Sequence, residues 1–299
     1  EGTQKSEGSE FVTVSDDPSL APNLQVNKTG TGQFTYGEVS TTEAAFSAAV
    51  LYKLEDDINL YANASKGYFF PQVRSIKFNE NGEPQSYDGE DITLTALGIK
   101  YFPKDLYIDA SLFTANLDNR RSVDFENGTN GDIIETVNIL STETFGAEVI
   151  ARWNISDEIV LDGNVTYQDA EFSESADASL LGKEPRRQPE YSGNIGLTYN
   201  NGLVDARVAV SYFGKAFAND SNTVELDSHS IATLDLGYTW ELANEQKIRL
   251  GLGVFNLFDS EGITEGSPRQ GNNQASSSEF FVGRPILPRR VSLTARYDF

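Results

Sequence analysis

The sequence predicts an all-β protein, an antiparallel transmembrane β-barrel, and three observations support this prediction. From residue 44 onward, apolar and polar side chains alternate in runs of about ten residues. The connections between these runs alternate between short turns and long polar loops. Aromatic side chains gather on the apolar face at the turn end of alternate runs, as they do in membrane barrels.

Eleven such runs follow one another, each with the two-residue period of a strand. No helical period interrupts them. Residues 1–43 show little periodicity and are predicted to form a long extracellular loop or a flexible lead-in, with room for one short strand near 33–40. Residues 44–299 are predicted to form the barrel, with strands at 44–54, 57–67, 91–101, 105–117, 138–155, 158–170, 190–200, 203–214, 229–241, 246–258 and 289–299.

The connections between the runs alternate strictly between two kinds. The short turns are 55–56, 103–104, 156–157, 201–202 and 243–245. The long loops are roughly 68–90, 118–137, 171–189, 215–228 and 259–288, and they are rich in Gly, Asn, Ser and acidic residues. Outer-membrane barrels have short turns in the periplasm and long loops outside the cell, so the pattern predicts this orientation.

The aromatic residues indicate which environment the apolar face meets. Alternation alone also fits a soluble β-sandwich, whose apolar faces point inward. A sandwich core gives no reason to concentrate aromatic side chains at one strand end, whereas amphipathic rings anchor at a membrane interface. The predicted membrane-interface girdle consists of Tyr52, Tyr101, Trp153, Tyr199, Tyr238, Trp240, Tyr297 and Phe299.

The opposite, polar face carries charges of both signs. Such side chains suit the wet or plugged interior of a barrel. The predicted interior charges are Lys53, Lys100, Glu148, Arg152, Asp162, Asp205, Arg207, Asp235, Arg249, Arg296 and Asp298.

Composition excludes several classes of function. The 299 residues include 45 acidic and 23 basic side chains, for a net charge of −22, with one His and no Cys. Zinc, iron–sulfur and thiol chemistry need His or Cys, so no catalytic residue, metal site or cofactor is predicted. The acidic balance disfavours a nucleic-acid partner.

The chain also contains no candidate for a membrane-spanning helix or a signal peptide. Its longest comparable apolar run, 44–52, falls well short of the roughly 18 to 20 residues of a membrane helix. It has no initiator Met, so it is expected to be processed or cut from a longer polypeptide.

Several motifs, in order and spacing, resemble one family. Residues 60–68 with Pro71 are similar to the family segment "lYasyskGf…P", residues 145–149 to its "GvE" strand, and residues 255–259 to its "NLfD" motif. Residues 98–100, Pro189 before the strand ending at Tyr199, Arg284-Pro285, residues 288–290 and the terminal Phe299 add to the match. Over about 44–299 the chain resembles the C-terminal half of the barrel of TonB-dependent outer-membrane receptors, which import ferric siderophores, cobalamin, haem or glycans.

The resemblance implies a barrel of about 22 strands, of which this chain supplies about 11 or 12. The family's N-terminal energy-coupling box and plug have no counterpart in it. The implied function is uptake of a scarce ligand by a Gram-negative bacterium, with a ferric siderophore as the leading substrate. The implied partners are the plug and the other barrel half, a TonB-type energy-coupling protein, the outer-membrane assembly machinery, lipopolysaccharide and a small-molecule ligand.

Candidate ligand contacts are aromatic and Arg residues of the long loops. Arg suits an anionic chelate, and an aromatic ring suits a catechol or a sugar. The candidates are Tyr68, Phe69, Phe70, Arg74, Arg120, Arg121, Arg186, Arg187 and Arg269. Lys66, on the lipid-facing side near the outer rim, is a candidate for lipopolysaccharide instead. The resemblance further implies that Tyr297 and Phe299 form the assembly signal of the last strand.

Other interpretations stay open at this stage. A self-contained barrel of about twelve strands, such as an autotransporter translocator or a passive channel, fits the length and the terminal Phe. Glycan uptake is an alternative within the receptor class. A membrane lipase needs Ser and His on one face, whereas the adjacent His229 and Ser230 point to opposite faces of a strand. Asp16-Asp17 and residues 88–91 offer oxygen ligands for calcium but match no complete loop motif.

Overall fold

A computed structural model of the chain describes residues 2–13, 30–70, 77–78, 84–85, 89–127, 133–242, 245–268 and 281–299. Nearly all of these residues are in strands, joined by turns and one short 3₁₀ helix, Ala178–Leu180. The strands are β1 (Gly2–Thr13), β2 (Gly30–Glu43), β3 (Phe46–Glu55), β4 (Ile58–Phe69), β5 (Lys77–Phe78), β6 (Pro84–Gln85), β7 (Glu90–Tyr101), β8 (Leu106–Asn127), β9 (Ile133–Asn154), β10 (Ile159–Ser175), β11 (Tyr191–Asn200), β12 (Val204–Phe213), β13 (Ala216–Phe217), β14 (Glu225–Leu226), β15 (His229–Glu241), β16 (Lys247–Phe255), β17 (Ile263–Pro268), β18 (Phe281–Pro285) and β19 (Arg290–Asp298).

Eleven of these strands form one antiparallel sheet in the order β19-β16-β15-β12-β11-β10-β9-β8-β7-β4-β3. Strands that are neighbours along the chain are also neighbours in the sheet, so the topology is a simple meander. The eleven predicted strands are thereby confirmed, each overlapping its predicted range. Among the described residues, nothing pairs with the outer edge of β3 or of β19.

The residues of the short turn between β11 and β12 explain why the chain reverses there. Asn201 Oδ1 accepts hydrogen bonds from the backbone N–H of Leu203 and Val204, at 3.1 and 2.8 Å. Gly202 takes a φ of +89°, which favours glycine over residues with a Cβ. Side-chain hydrogen bonds of Asn and the positive φ of glycine stabilise tight hairpin turns. Here they fix the register of β11 against β12.

The strands extend further at the loop end than the sequence predicts. β8 runs to Asn127 and β9 begins at Ile133, so most of the expected loop 118–137 is a continued hairpin. A register shift between Leu117 and Arg120 interrupts the pairing. The apolar alternation weakens there, because strands that continue beyond a membrane have no need for an apolar outer face.

Residues 1–43 contain more strand than the one short segment considered near 33–40. β1 and β2 form a two-stranded antiparallel sheet in which Gly2 pairs with Glu43 and Phe11 with Phe34. β2 leads almost directly into β3, with two residues between them. The β2 segment is rich in Thr and aromatic residues, which favour strands.

The buried core of the described residues is small. Leu140, Phe172 and Leu180 pack together at the loop end of β9 and β10. Phe172 and Leu140 are each 1% exposed. The helical segment of the described residues is this single 3₁₀ turn. No helix in the described part of the chain is long and apolar enough to cross a membrane.

Candidate functional site

The outer face of the main sheet is apolar and open. Leu97, Leu112 and Ala147 lie opposite one another on adjacent strands, and Leu97 and Leu112 are 65% and 54% exposed. A broad sheet of exposed aliphatic side chains is too apolar for contact with water. It matches the lipid-facing band of a membrane barrel.

All eight girdle residues lie on this outer face, at the end with the short turns. Trp153 pairs with Leu161, Tyr238 with Leu250, and Tyr297 with Ile248. Seven of the eight are exposed, and Tyr199 is partly covered. Their role at a membrane interface remains a prediction, and both Trp residues of the chain belong to it.

A second aromatic belt lies at the loop end of the outer face. It consists of Tyr167, Tyr191 and Tyr212, and the rings of Tyr167 and Tyr191 are 5.1 Å apart. Tyr191 and Tyr199 are eight residues apart on β11, a separation of about 27 Å along the strand. A strand tilt of about 40° reduces this to about 20 Å, close to the height of a lipid-facing band. The repeated tyrosines at the loop ends of these strands are the sequence signal for this belt.

We expect lipids brominated near the headgroup to quench the fluorescence of Trp153 and Trp240 more strongly than lipids brominated at the chain end. Both side chains lie at the turn-side border of the apolar band and are about half exposed, so their rings meet the interface. The measurement is steady-state quenching in vesicles of the natural protein and of its Trp153→Phe, Trp240→Phe variant, whose difference reports these two residues. Stronger quenching at the chain end would contradict the girdle.

The inner face of β10–β19 carries paired charges. Arg207 binds both carboxylate oxygens of Asp162, at 2.6 and 2.8 Å, and also donates to Thr198. Next to this ion pair on the same face, Arg249 donates a hydrogen bond to Asp205 at 2.7 Å. The Arg207 guanidinium lies over Gly196, where a Cβ would come within 2.3 Å of it. Glycine thus allows the long charged side chain to lie flat along the wall.

On β4, β7 and β8 the inner face of the sheet combines one polar cluster with a group of apolar side chains. Tyr61 donates to Asp109 at 2.8 Å, and Lys100 also contacts that carboxylate. Above this polar group lies an inner apolar patch, defined by Phe69, Ile92, Leu94 and Phe113. Phe69 is 58% exposed. The predicted polar interior therefore does not extend to this part of the wall.

Three outer loops are joined into one assembly at the loop end of β10–β16. Lys183 donates to the Ser221 carbonyl at 2.6 Å. Asn222 exchanges two hydrogen bonds with the backbone of Glu184, at 2.9 and 2.8 Å. The backbone N–H of Arg187 donates to the Phe217 carbonyl at 2.7 Å. These contacts join loop 171–189 to loop 215–228.

The third loop, residues 259–288, joins the assembly through an ion pair of its Glu265. Glu265, on β17, binds Arg187 at 2.6 Å and Arg284 at 3.0 Å. Arg186 lies 3.7 Å from the buried carboxylate of Asp220. Two of the predicted ligand contacts, Arg186 and Arg187, thus have structural carboxylate partners from other loops.

Asn256 closes the neck of the third loop and is fully buried. Its Nδ2 donates to the carbonyls of Ser260 and Leu287, at 2.9 and 3.0 Å, and its Oδ1 accepts from the Ser260 N–H at 2.8 Å. Its φ of +52° suits Asn better than most residues. Asp259 adds a second connection by accepting from the Arg289 N–H at 2.8 Å.

The loop assembly and the inner face line an open cavity of about 470 Å³, which we name the outer-end pocket. Its wall is formed by inner-face side chains of β10, β11, β12 and β15, and its cover by the loops. The lining residues are Gln168, Arg187, Pro189, Ser192, Phe213, Gly214, Ala216, Leu226, Asp227, His229, Ile231, Ile263 and Thr264. Its volume lies within the range of small-molecule sites.

The predicted ligand contacts are not brought together at one place. Phe69 and Arg120 lie on the inner face, whereas Tyr68 shares the outer face with Lys66 and packs 4.9 Å from Phe70. In the sheet, β4 lies five strand spacings from β11, about 24 Å. Arg74 and Arg269 lie outside the described residues, as does the side chain of Arg121.

The remaining candidates have structural roles or lie outside the described residues. Lys66 pairs with Asp91 at 3.1 Å on the outer face. Asp16, Asp17 and Asp88 lie outside the described residues. No group of three or more acidic or His side chains in the described part of the chain is arranged to hold a metal ion. His229 and Ser230 are adjacent on β15, where they pair with Phe213 and Tyr212. Because successive side chains of a strand alternate, they face opposite sides of the sheet.

Burial raises the pKa of the Glu184 carboxyl in the loop assembly, with smaller contributions from Glu190, Asp169 and Glu225. A folded-state pKa above the unfolded value means that the folded state binds more protons between the two. The stability of the assembly therefore falls as pH rises through that interval.

For Glu184→Gln, we expect a small gain in stability at pH 7, below about 1 kcal/mol because solvent screens this exposed group. The gain should vanish at a pH below both pKa values. Thermal unfolding of both proteins at the two pH values measures it. A gain that is the same at both pH values would point to a cause other than the charge.

The model of the family "TonB dependent receptor-like, beta-barrel" matches residues 13–257. Among curated proteins, the ferrichrome outer membrane transporter and phage receptor of Escherichia coli (strain K12) is 22% identical over 68% of this chain and 27% of its own length. The ferrioxamine receptor of Yersinia enterocolitica is 27% identical over 52% of this chain and 20% of its own length.

Solved structures share the fold. The ferric yersiniabactin uptake receptor of Yersinia pestis superimposes with a TM-score of 0.66 at 18% identity, covering 91% of this chain and 39% of that receptor. The siderophore receptor PiuA of Acinetobacter baumannii gives 0.67 at 15% identity, covering 89% and 37%. The chain spans about a quarter of the length of the curated relatives, and these relatives are transport receptors. The strand order and the outward apolar face agree with the family match. The chain therefore belongs to the β-barrel family of the TonB-dependent receptors.

Proposed function

We propose that this chain forms the C-terminal part of an outer-membrane receptor that imports a ferric siderophore by TonB-coupled transport. The outer-end pocket is the observation that carries the proposal, because loops that assemble over the inner wall offer a site facing the barrel interior. Arg187 lines this pocket, where its guanidinium is paired with Glu265. The relatives are receptors for ferrichrome and ferrioxamine.

The same proposal accounts for the two sheet edges that have no partner among the described residues. Unpaired backbone groups of an open edge are costly in a bilayer, so β3 and β19 require partner strands. We assign these to the other part of a barrel of about 22 strands. The inner apolar patch would then lie against a plug, and the outer rim with Lys66 and Asp91 against lipopolysaccharide.

The experiment is uptake of radioactive iron by cells that have or lack the gene for the natural protein. The chelates offered are a ferric hydroxamate, a ferric catecholate and ferric citrate. We expect at least about tenfold more uptake of one of them when the receptor is present, and loss of that uptake with a protonophore. Uptake that survives the protonophore would favour a passive channel, and glycan-dependent growth without iron uptake would favour a glycan receptor.

The barrel size can be tested separately. We expect the native protein extracted from outer membranes to have an intact mass well above the 32.8 kDa of this chain. A native mass near 32.8 kDa with no co-purifying partner would instead favour a closed barrel of about twelve strands.

A further inference from the structure

The arginines of the loop assembly are paired with carboxylates of the protein itself. Arg187, which lines the outer-end pocket, lies 2.6 Å from Glu265. The second oxygen of that carboxylate binds Arg284 at 3.0 Å. The described ion pairs between loops 171–189 and 215–228, and within the latter, are Arg186 with Asp220 and Lys215 with Glu225, at 3.7 and 2.5 Å. A cation that is paired with a carboxylate offers little net positive charge to a ligand.

Asp227 adds a negative charge to the lining of the outer-end pocket. It forms no ion pair among the described residues, whereas the nearby Lys215 donates a hydrogen bond to Glu225 at 2.5 Å. That hydrogen bond raises the pKa of the Lys215 ammonium, and the charges of Glu225 and Asp227 raise it further. One cation is therefore opposed by two carboxylates at this edge of the pocket.

More carboxylates lie at the same end of the sheet. Asp169 and Glu190 directly follow the lining residues Gln168 and Pro189 in the chain. Burial raises the pKa of the Glu184 carboxyl, and the charges of Glu190, Asp169 and Glu225 raise it further. These carboxylates are thus close enough to repel one another, as they do where the local potential is negative.

The long loops of the sequence show the same excess of negative charge. Each of the five loops 68–90, 118–137, 171–189, 215–228 and 259–288 has more acidic than basic residues, with 20 acidic and 10 basic in total. A negative potential over a cleft lowers the local concentration of anions and raises that of cations. The outer end as a whole therefore disfavours the anionic chelate that the loop arginines alone suggest.

Much of the pocket wall is apolar. Phe213 is 40% exposed, and Leu226, Ile231 and Ile263 lie around the same cavity. An apolar wall cannot replace the hydration that a highly charged ligand loses on binding. A neutral complex with hydrocarbon linkers loses less hydration and gains from contact with these side chains.

From this charge distribution we infer that the outer-end pocket binds a ferric chelate without net negative charge, of the hydroxamate class. Three hydroxamate groups carry one negative charge each and balance Fe³⁺, so their complex is neutral, or cationic when the chelator ends in an amine. Three catecholate groups carry two negative charges each, so their complex keeps three. The inference rests on the proposed function and names the substrate class of the same pocket.

The test is calorimetric titration of the natural receptor in detergent with three ferric complexes of one linear trihydroxamate. The chelator ends in a free amine, an N-acetyl group or an N-succinyl group, so the complexes carry one positive charge, no charge or one negative charge. At about 0.1 M salt we expect the amine form to bind at least about tenfold more tightly than the succinyl form, with the acetyl form between them. At about 1 M salt, where the Debye length is about 3 Å, this ratio should fall below about threefold.

Asp227→Asn removes one charge from the pocket lining at nearly constant shape. At low salt it should reduce the ratio between the amine and succinyl forms by about threefold and leave the affinity of the acetyl form unchanged. Asp157→Asn is the matched control, because it removes the same charge from an exposed turn at the opposite end of the sheet. It should leave the ratio unchanged. If Asp227→Asn fails to assemble, the salt series on the unmodified protein still decides the question.

Equal affinity of the three forms at low salt would overturn the inference, as would tighter binding of the succinyl form. An unchanged ratio in an assembled Asp227→Asn variant would overturn the assignment to this pocket. Iron uptake by cells keeps the two proposals separate. Energy-dependent uptake of the ferric catecholate or of ferric citrate, without uptake of the hydroxamate, refutes only the charge assignment. Absence of energy-dependent uptake of any chelate refutes the proposed function itself.

Discussion

Replacing Gly146 with Ala is expected to prevent assembly of the barrel or to lower its free energy of unfolding by at least about 3 kcal/mol. A Cβ at Gly146 would lie 2.2 Å from the Phe113 ring and 2.6 Å from the Tyr167 carbonyl oxygen. The ring can rotate away, but the carbonyl belongs to the backbone of β10. Relief would therefore require the β9–β10 ladder to separate locally.

Gly67→Ala is the matched control on the same inner face. Its nearest atom would be the Ile92 methyl at 3.3 Å, and a side chain can yield by a few tenths of an ångström. We expect this variant to assemble normally. The measurement is the fraction of protein that keeps its folded mobility on a gel without heating, followed by urea unfolding. Equal behaviour of the two variants would contradict the clash.

Replacing Asn256 with Ala is expected to loosen the third loop while leaving the sheet intact. The change removes three hydrogen bonds at a fully buried position and leaves the carbonyls of Ser260 and Leu287 without a donor. Each unsatisfied buried group costs about 1 to 3 kcal/mol, so the neck should lose roughly 3 to 5 kcal/mol. Ala also tolerates the positive φ less well than Asn.

Hydrogen exchange of the β17 and β18 amides measures this effect. We expect their protection to fall by at least about a hundredfold, since 1.4 kcal/mol corresponds to a factor of ten. Protection in β12 and β15 should be unchanged. Asn256→Asp is the informative control, because it keeps the acceptor and the backbone preference but loses both donors. Unchanged protection of β17 and β18 in the Ala variant would show that other contacts hold the loop.

The main sheet could be read from the sequence because a strand has a period of two residues. In 191–199 this period separates the two faces, and the same pattern continues through the last strand. The turn at Asn201 and Gly202 was visible as a pair of residues suited to a tight reversal. Each of these signals involves residues that are close in sequence, so they need no knowledge of the rest of the fold.

The loop end could not be predicted in the same way. Lys183 contacts Ser221, and Arg187 contacts Glu265, across separations of 38 and 78 residues in the chain. Arg187 was predicted as a ligand contact, and its carboxylate partner was not visible in the sequence. The second aromatic belt was missed although its tyrosines stand at the loop ends of three successive strands.

The sequence by itself determined the strands, their order, the lipid-facing side and the family, because all of these follow from local alternation, turn residues and motif spacing. Only the tertiary structure decided which loops meet, what Asn256 and Glu265 hold together, and that His229 lines a pocket. Contacts between distant loops depend on the geometry that the whole sheet imposes on their ends. No local pattern encodes that geometry, and the site is formed there.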